Sequence, residues 1–175
     1  MARYVLVPRT QPLPHYLPQG TLIRTPLQRA VLTTSVHAAL LLDLHAERAI
    51  AGLTDTAYIV SPEVRQLLCQ GVKSMGTALQ PDLELMQAAR ADALLTSPFE
   101  GDGSARAQRL GIPQIACADY MESSPLGRAE WMRFYGRLFG QAERADSLFA
   151  AVEQHYLALA AQADSLTSKR TAPTV

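Results

Sequence analysis

The sequence predicts an α/β fold: a parallel-sheet, Rossmann-like lobe with helices on both faces, ending in a long helix. Two patterns carry that expectation. Short apolar runs alternate with longer amphipathic ones along most of the chain, the pattern of repeated strand–helix units. The short runs, such as residues 30–34 (AVLTT), 49–53 (AIAGL) and 93–96 (ALLT), are largely apolar at consecutive positions rather than at alternate ones. A strand of that kind buries both faces, as in a parallel sheet covered by helices on each side. At 175 residues the chain has a one-domain length and can bury a sizeable core.

No element is assigned before residue 30, where the chain is rich in proline. Residues 30–34 form a strand and residues 35–44 (SVHAALLLDL) a helix, with Ser35 as its N-cap because a hydroxyl can accept from an unpaired first-turn amide. Residues 49–53 make the next strand, ended by Thr54 and Asp55. Ser61-Pro62-Glu63 then opens a helix, with serine at the cap and proline in the first turn, where its missing N–H costs nothing. Residues 71–76 (GVKSMG) read as a short strand between turn glycines, 81–90 as a helix and 93–96 as a strand. Residues 104–110 read as a helix stopped by Gly111 and followed by Pro113, and 114–117 (QIAC) as a further strand. Helices at 126–139 and 141–166 close the chain, joined at Gly140. The last carries Ala145, Leu148, Phe149, Val152, Tyr156 and Leu159 at helical spacing.

Composition narrows the function. Hydrophobic residues make up 48% and charged residues 18%, a globular balance. Sixteen Lys+Arg balance sixteen Asp+Glu without a basic run, which argues against a nucleic-acid partner. No apolar stretch is long enough to span a bilayer. No signal peptide is expected either, since few apolar residues separate Arg3 from Pro8. Cys69 and Cys117 are too few for a disulfide framework; both read as small buried hydrophobes, and their spacing leaves a bridge between them open.

A parallel sheet of this type places its ligand loops beyond the carboxyl ends of the strands. That rule selects residues 34–37, 54–58, 97–103 and 118–125. His37 lies in the first of them, where local satisfaction of its ring and contact with a ligand are both open readings. His15 and His155 are expected at the surface, and His45 at a helix end. Asp55 follows a strand, where a turn-forming role competes with a binding role. In the segment SPFEGDG, Ser97 and Glu100 accompany Phe99, whose ring suits either a flat, greasy ligand at a cleft edge or the core beneath its own loop. Asp119-Tyr120-Met121-Glu122 is the richest loop. The candidate ligand-binding residues are therefore Ser35, His37, Asp55, Tyr58, Ser97, Phe99, Glu100, Tyr120, Met121 and Glu122.

Catalytic signatures are missing. Neither GxGxxG nor GxxxxGK[ST] follows a strand, and neither G-x-S-x-G nor HExxH occurs. Paired carboxylates can perform acid–base work, but no nucleophile or base-orienting group accompanies those at 119–122. The chain is expected not to be an enzyme and to need no cofactor or protein-held metal. The rival reading is a small α/β cofactor-binding enzyme.

Five segments in order resemble the periplasmic binding proteins for iron siderophores, haem and cobalamin. Residues 29–44 (RAVLTTSVHAALLLDL) are similar to that family's opening strand and helix, and 50–55 (IAGLTD) to its V-G-V-T-D strand. Residues 81–97 (PDLELMQAARADALLTS) resemble its N-L-E-x-I-x-x-L-x-P-D-L-I segment, and 110–119 (LGIPQIACAD) its L-G-I-P-V strand. Residues 119–136 (DYMESSPLGRAEWMRFYG) look like a version found in an iron-complex subgroup. The resemblance implies two α/β lobes joined by one long helix, with ligand held between them. Residues 1–140 would then be the N-terminal ligand-binding lobe, 141–166 the long inter-lobe helix, and 167–175 the start of a missing second lobe. It implies an iron chelate, haem or corrinoid as ligand, with axial ligation by His37 or Tyr120 left open for haem. It also implies an ABC permease of the cytoplasmic membrane as partner, and a periplasmic location or a lipoprotein at the outer face of a membrane. Glu84 aligns with the family's docking glutamate, which meets arginines of the permease.

Overall fold

The structure, a computed structural model, describes residues 2–98, 107 and 110–167. Two short strands, β1 (Tyr4–Pro8) and β2 (Thr21–Thr25), pair in parallel as a separate ribbon. The main sheet has five parallel strands: β3 (Ala30–Leu32), β4 (Ile50–Leu53), β5 (Lys73–Ser74), β6 (Ala93–Thr96) and β7 (Gln114–Ala116), in the order β5-β4-β3-β6-β7. The strands predicted as apolar on both faces sit at its centre, and every residue of β3 and β6 is buried.

Successive side chains of a strand leave opposite faces of the sheet. Leu32 and Leu95 accordingly join Leu41, Leu53, Ile115, Tyr135 and Leu138 in one core. Their neighbours Val31 and Leu94 join Met75, Met86 and Ile112 in the other. Two cores, one on each face, are the physical content of the expected doubly covered sheet. Gly52 in β4 serves the second core, because a Cβ there would stand 2.5 Å from the Met75 sulfur.

The helices of the first core are α1 (Ser35–Asp43), α2 (Pro62–Cys69) and, later in the chain, α4 (Pro125–Phe139); α3 (Leu83–Ala88) covers the second. Ser61 caps α2 as expected, its Oγ accepting from the Val64 N–H at 3.3 Å. Helix α1 differs: Thr34 is the cap, accepting from the Val36 N–H at 3.0 Å, because its backbone is extended while Ser35 is already helical. Asp82 caps α3 and Ser124 caps α4. Gly140 ends α4 in the left-handed conformation, φ 73°, that glycine adopts without Cβ strain.

Three expectations are corrected. The opening segment holds β1 and β2, which proline content concealed; they are fixed to the lobe by Tyr4 Oη, which accepts from the Ala116 N–H at 2.7 Å, and by Leu27 N–H donating to Leu138 O at 2.8 Å. The strand expected over 71–76 shrinks to two exposed residues at the sheet edge, since Gly71 and Gly76 both take positive φ. Cys69 is exposed at the end of α2, Cys117 is buried, and the two are not bridged. The helix expected at 104–110 lies outside the described residues apart from Ala107 and Leu110.

Helix α5 (Ala142–Thr167) leaves the lobe from α4. Its start is anchored: Ala145 and Phe149 are buried, and a Cβ on Gly136 would come within 2.4 Å of Ala145 Cβ, so the two helices meet at van der Waals distance. Arg133 adds a 2.7 Å bond to Asp146 and stands over the Phe149 ring at 5.0 Å. Beyond residue 149 the helix is almost wholly exposed, including Val152, Tyr156, Leu157 and Leu159.

Candidate functional site

Strand order creates the site. From β3 the chain moves outward to β4 and β5, then returns across β3 to β6 and on to β7. The loops leaving β3 and β6 therefore diverge, opening a crevice at their carboxyl ends, the position where sheets of this class bind ligands. Two buried threonines pin the strand ends beneath it. Thr33 Oγ1 donates to Leu95 O at 3.1 Å, and Thr54 Oγ1 donates to Thr33 O at 3.2 Å. Together they tie β4, β3 and β6 at one level.

His37 forms the floor with Asp119 and Tyr135. Its ring is only 2% exposed, because the first turn of α1 carries it inward. Nε2 lies 3.5 Å from Asp119 Oδ1, and the ring packs 5.4 Å from that of Tyr135. Nδ1 has no hydrogen-bond partner among the described residues. Contact with His37 holds the Asp119 carboxyl below the usual carboxylate range, against the opposing effect of burial. Burial, with Cys117 and Asp119 nearby, drives the Tyr135 phenol well above its ordinary value. His37 and Tyr135 are enclosed by packing, and Asp119 is partly solvated.

The rim is open. Tyr58 stands 82% exposed after β4, and Tyr120 (42%) and Met121 (56%) project from the turn after β7. Arg128 steadies that turn from α4, its Nη2 donating to Tyr120 O at 3.2 Å. Glu122 is exposed and accepts from Trp131 Nε1 at 2.9 Å. Ser35 and Ser97 are half-buried just past the ends of β3 and β6, on either side of the crevice. Asp55 is at the end of β4, but its carboxylate is occupied: Oδ2 accepts from the Ala78 N–H at 2.7 Å and from Thr54 Oγ1 at 3.1 Å. The turn-forming role suits its left-handed backbone, φ 50°. Phe99 and Glu100 lie outside the described residues.

Glu84 is exposed in the first turn of α3. That helix begins after β5, so Glu84 stands at the same end of the sheet as the crevice. Among the described residues no group of three or more His, Cys, Asp or Glu is placed to hold a metal, and no helix is long and apolar enough to cross a membrane. Sequence reasoning missed the Thr33–Thr54 tie, although threonine at both strand ends was a readable signal. It also missed Trp131, which the helical spacing of α4 gave no reason to single out.

This geometry is an α/β lobe with a crevice at a strand switch point and a long helix leaving it. Residues 30–175 match the family described as periplasmic binding protein, and the chain belongs to that family. An uncharacterized lipoprotein of Methanocaldococcus jannaschii is 22% identical over 169 residues, which cover 89% of this chain and 41% of that protein. A periplasmic haem-binding protein from Pseudomonas aeruginosa superposes with a TM-score of 0.61 at 21% identity, over 83% of this chain and 50% of its own. SirA of Staphylococcus aureus, complexed with staphyloferrin B, gives 0.62 at 14% identity, over 85% of this chain and 49% of its own. The chain thus spans about half the length of these proteins.

Proposed function

We propose that this lobe is the N-terminal half of the substrate-binding component of an ABC importer, which captures an iron chelate, haem or a corrinoid and delivers it without chemistry. The observation that carries the reading is the crevice past β3 and β6, rimmed by Tyr58, Tyr120 and Met121, in a chain of the periplasmic binding protein family. Exposed aromatic and thioether side chains offer apolar, polarizable contact to a bulky chelate. For haem, Tyr120 is the axial candidate from this lobe, since His37 is enclosed. The exposed apolar positions of α5, among them Leu157 and Leu159, support packing against a second lobe across the cleft. The protein would work at the outer face of the cytoplasmic membrane, free in a periplasm or lipid-anchored, with a membrane permease as partner.

The test is titration of the full-length protein with haem, ferric siderophores and cobalamin, followed by calorimetry. Saturable binding of one of them is expected; binding of none overturns the assignment. For docking, Glu84→Arg is expected to lower uptake severalfold while leaving ligand affinity unchanged, because Glu84 stands exposed on the crevice end of the lobe. Loss of affinity in that variant would place Glu84 in the cleft instead.

A further inference from the structure

A cavity of about 390 Å³ opens where β1 meets the first turns of α4, beside the turn after β7. Its walls are Tyr4, Trp131 and Phe134. The rings form one continuous aromatic surface: Tyr4 and Phe134 lie 6.1 Å apart, and Trp131 meets Phe134 edge-on at 5.7 Å. Glu122 and Glu130 complete the lining, together with Ala2 and Gly127, and none of these residues carries a positive charge. Gly127 leaves the space open, since a Cβ there would come within 3.2 Å of Glu122 Oε2.

The charged side chains of the lining are of one sign, set against the positive end of the α4 dipole. Aromatic ring faces carry negative quadrupole potential, and the lining adds two carboxylates. Trp131 donates its N–H to Glu122 Oε1 at 2.9 Å, which shifts electron density toward the indole ring and strengthens its attraction for a cation. Glu130 has Arg133 at 3.7 Å, but that guanidinium is drawn toward α5 by its 2.7 Å bond to Asp146, and the Glu130 side chain stays 63% exposed. An anion would be repelled from this box. A hydrated metal ion would lose more from the aromatic walls than the two carboxylates return. A cation clothed in hydrocarbon meets both requirements.

We propose that this cavity binds a small organic ammonium ion, with Trp131 and Phe134 as the cation–π walls and Glu122 and Glu130 as counter-charges. The site stands apart from the crevice between β3 and β6 and does not depend on which cargo that crevice takes; Glu122 alone is common to the two.

Trp131 is the chain's only tryptophan, so its fluorescence reports on the cavity directly. The experiment titrates this chain with choline chloride at fixed ionic strength, and in parallel with 3,3-dimethylbutan-1-ol, the neutral isostere. Choline is expected to give a saturable change, with binding about tenfold tighter than the isostere. Glu130→Gln, at an exposed position and with its fold checked by circular dichroism, is expected to weaken choline about threefold to tenfold. Glu122→Gln, which keeps an acceptor for the indole N–H, is expected to do the same. Absence of a saturable change, an equal response to the isostere, or unaltered affinity in both variants would overturn the proposal.

Discussion

The floor and the rim of the crevice lie within a few residues of each other in sequence but are built on opposite principles. Asp119 and Tyr120 are adjacent, yet Asp119 turns in against the enclosed His37 ring while Tyr120 stands 42% exposed. At and beneath the floor three polar groups are positioned by a neighbour: Thr33 by Leu95, Thr54 by Thr33, Asp119 by His37. At the rim the side chains stand exposed, and Arg128 holds the backbone of Tyr120. Substitution at the floor should therefore cost stability, and substitution at the rim should cost binding. That contrast can be broken residue by residue.

The largest effect is expected from His37→Ala. Truncation empties a fully packed position and leaves Asp119 without its partner, so unfolding free energy should fall by about 2–4 kcal/mol in urea denaturation. A loss of under about 1 kcal/mol would show that the ring merely fills space that solvent could fill as well. Thr54→Val follows. The swap keeps shape but removes the hydroxyl that donates to Thr33 O and Asp55 Oδ2, and should cost about 1–2 kcal/mol by the same measurement. No change would mean the strand ends are fixed by the sheet ladder alone.

Asp119→Asn isolates the electrostatic part of the floor. The Asp119 carboxyl titrates below its ordinary value of 3.8 in the folded protein, first because of His37. A depressed acid contributes stability above its unfolded pKa and loses it as pH falls through the folded one. The wild-type advantage over Asp119→Asn should thus be full above about pH 4 and fade below it, with a size of no more than about 1 kcal/mol because the group is partly solvated. Denaturation at pH 7 and pH 3 reads this directly; a difference that grows in acid would assign the interaction to another group.

The same contrast explains what was legible in the sequence. Consecutive apolar residues at 30–32 and 93–95 marked the buried strands, and the strand-end rule marked the loops, because both follow from local pattern. Whether a loop residue faces in or out does not. His37 and Ser35 sit two positions apart in the same turn of α1, yet one is enclosed and the other half-exposed. The outcome for His37 is decided by Asp119 and Tyr135, which are distant in sequence, so no window around His37 contains it. β1 and β2 were hidden for a related reason: their stability comes from long-range ties such as Tyr4 to Ala116 and Arg9 to Asp92, which outweigh the prolines around them.

Tyr120→Ala sharpens the contrast from the other side. Tyr120 is exposed, and Arg128 holds its turn through the Tyr120 backbone carbonyl. Unfolding free energy should therefore stay within about 0.5 kcal/mol of wild type. In the full-length protein the same change removes an aromatic contact from the crevice rim, so cargo affinity is expected to fall on the order of tenfold. The ratio of the two effects is the informative quantity. His37→Ala lowers stability while leaving the affinity of the folded fraction near normal, and Tyr120→Ala does the reverse. If Tyr120→Ala instead destabilised the lobe as His37→Ala does, the turn after β7 would belong to the floor, and Tyr58 and Met121 would be left as the rim of this lobe.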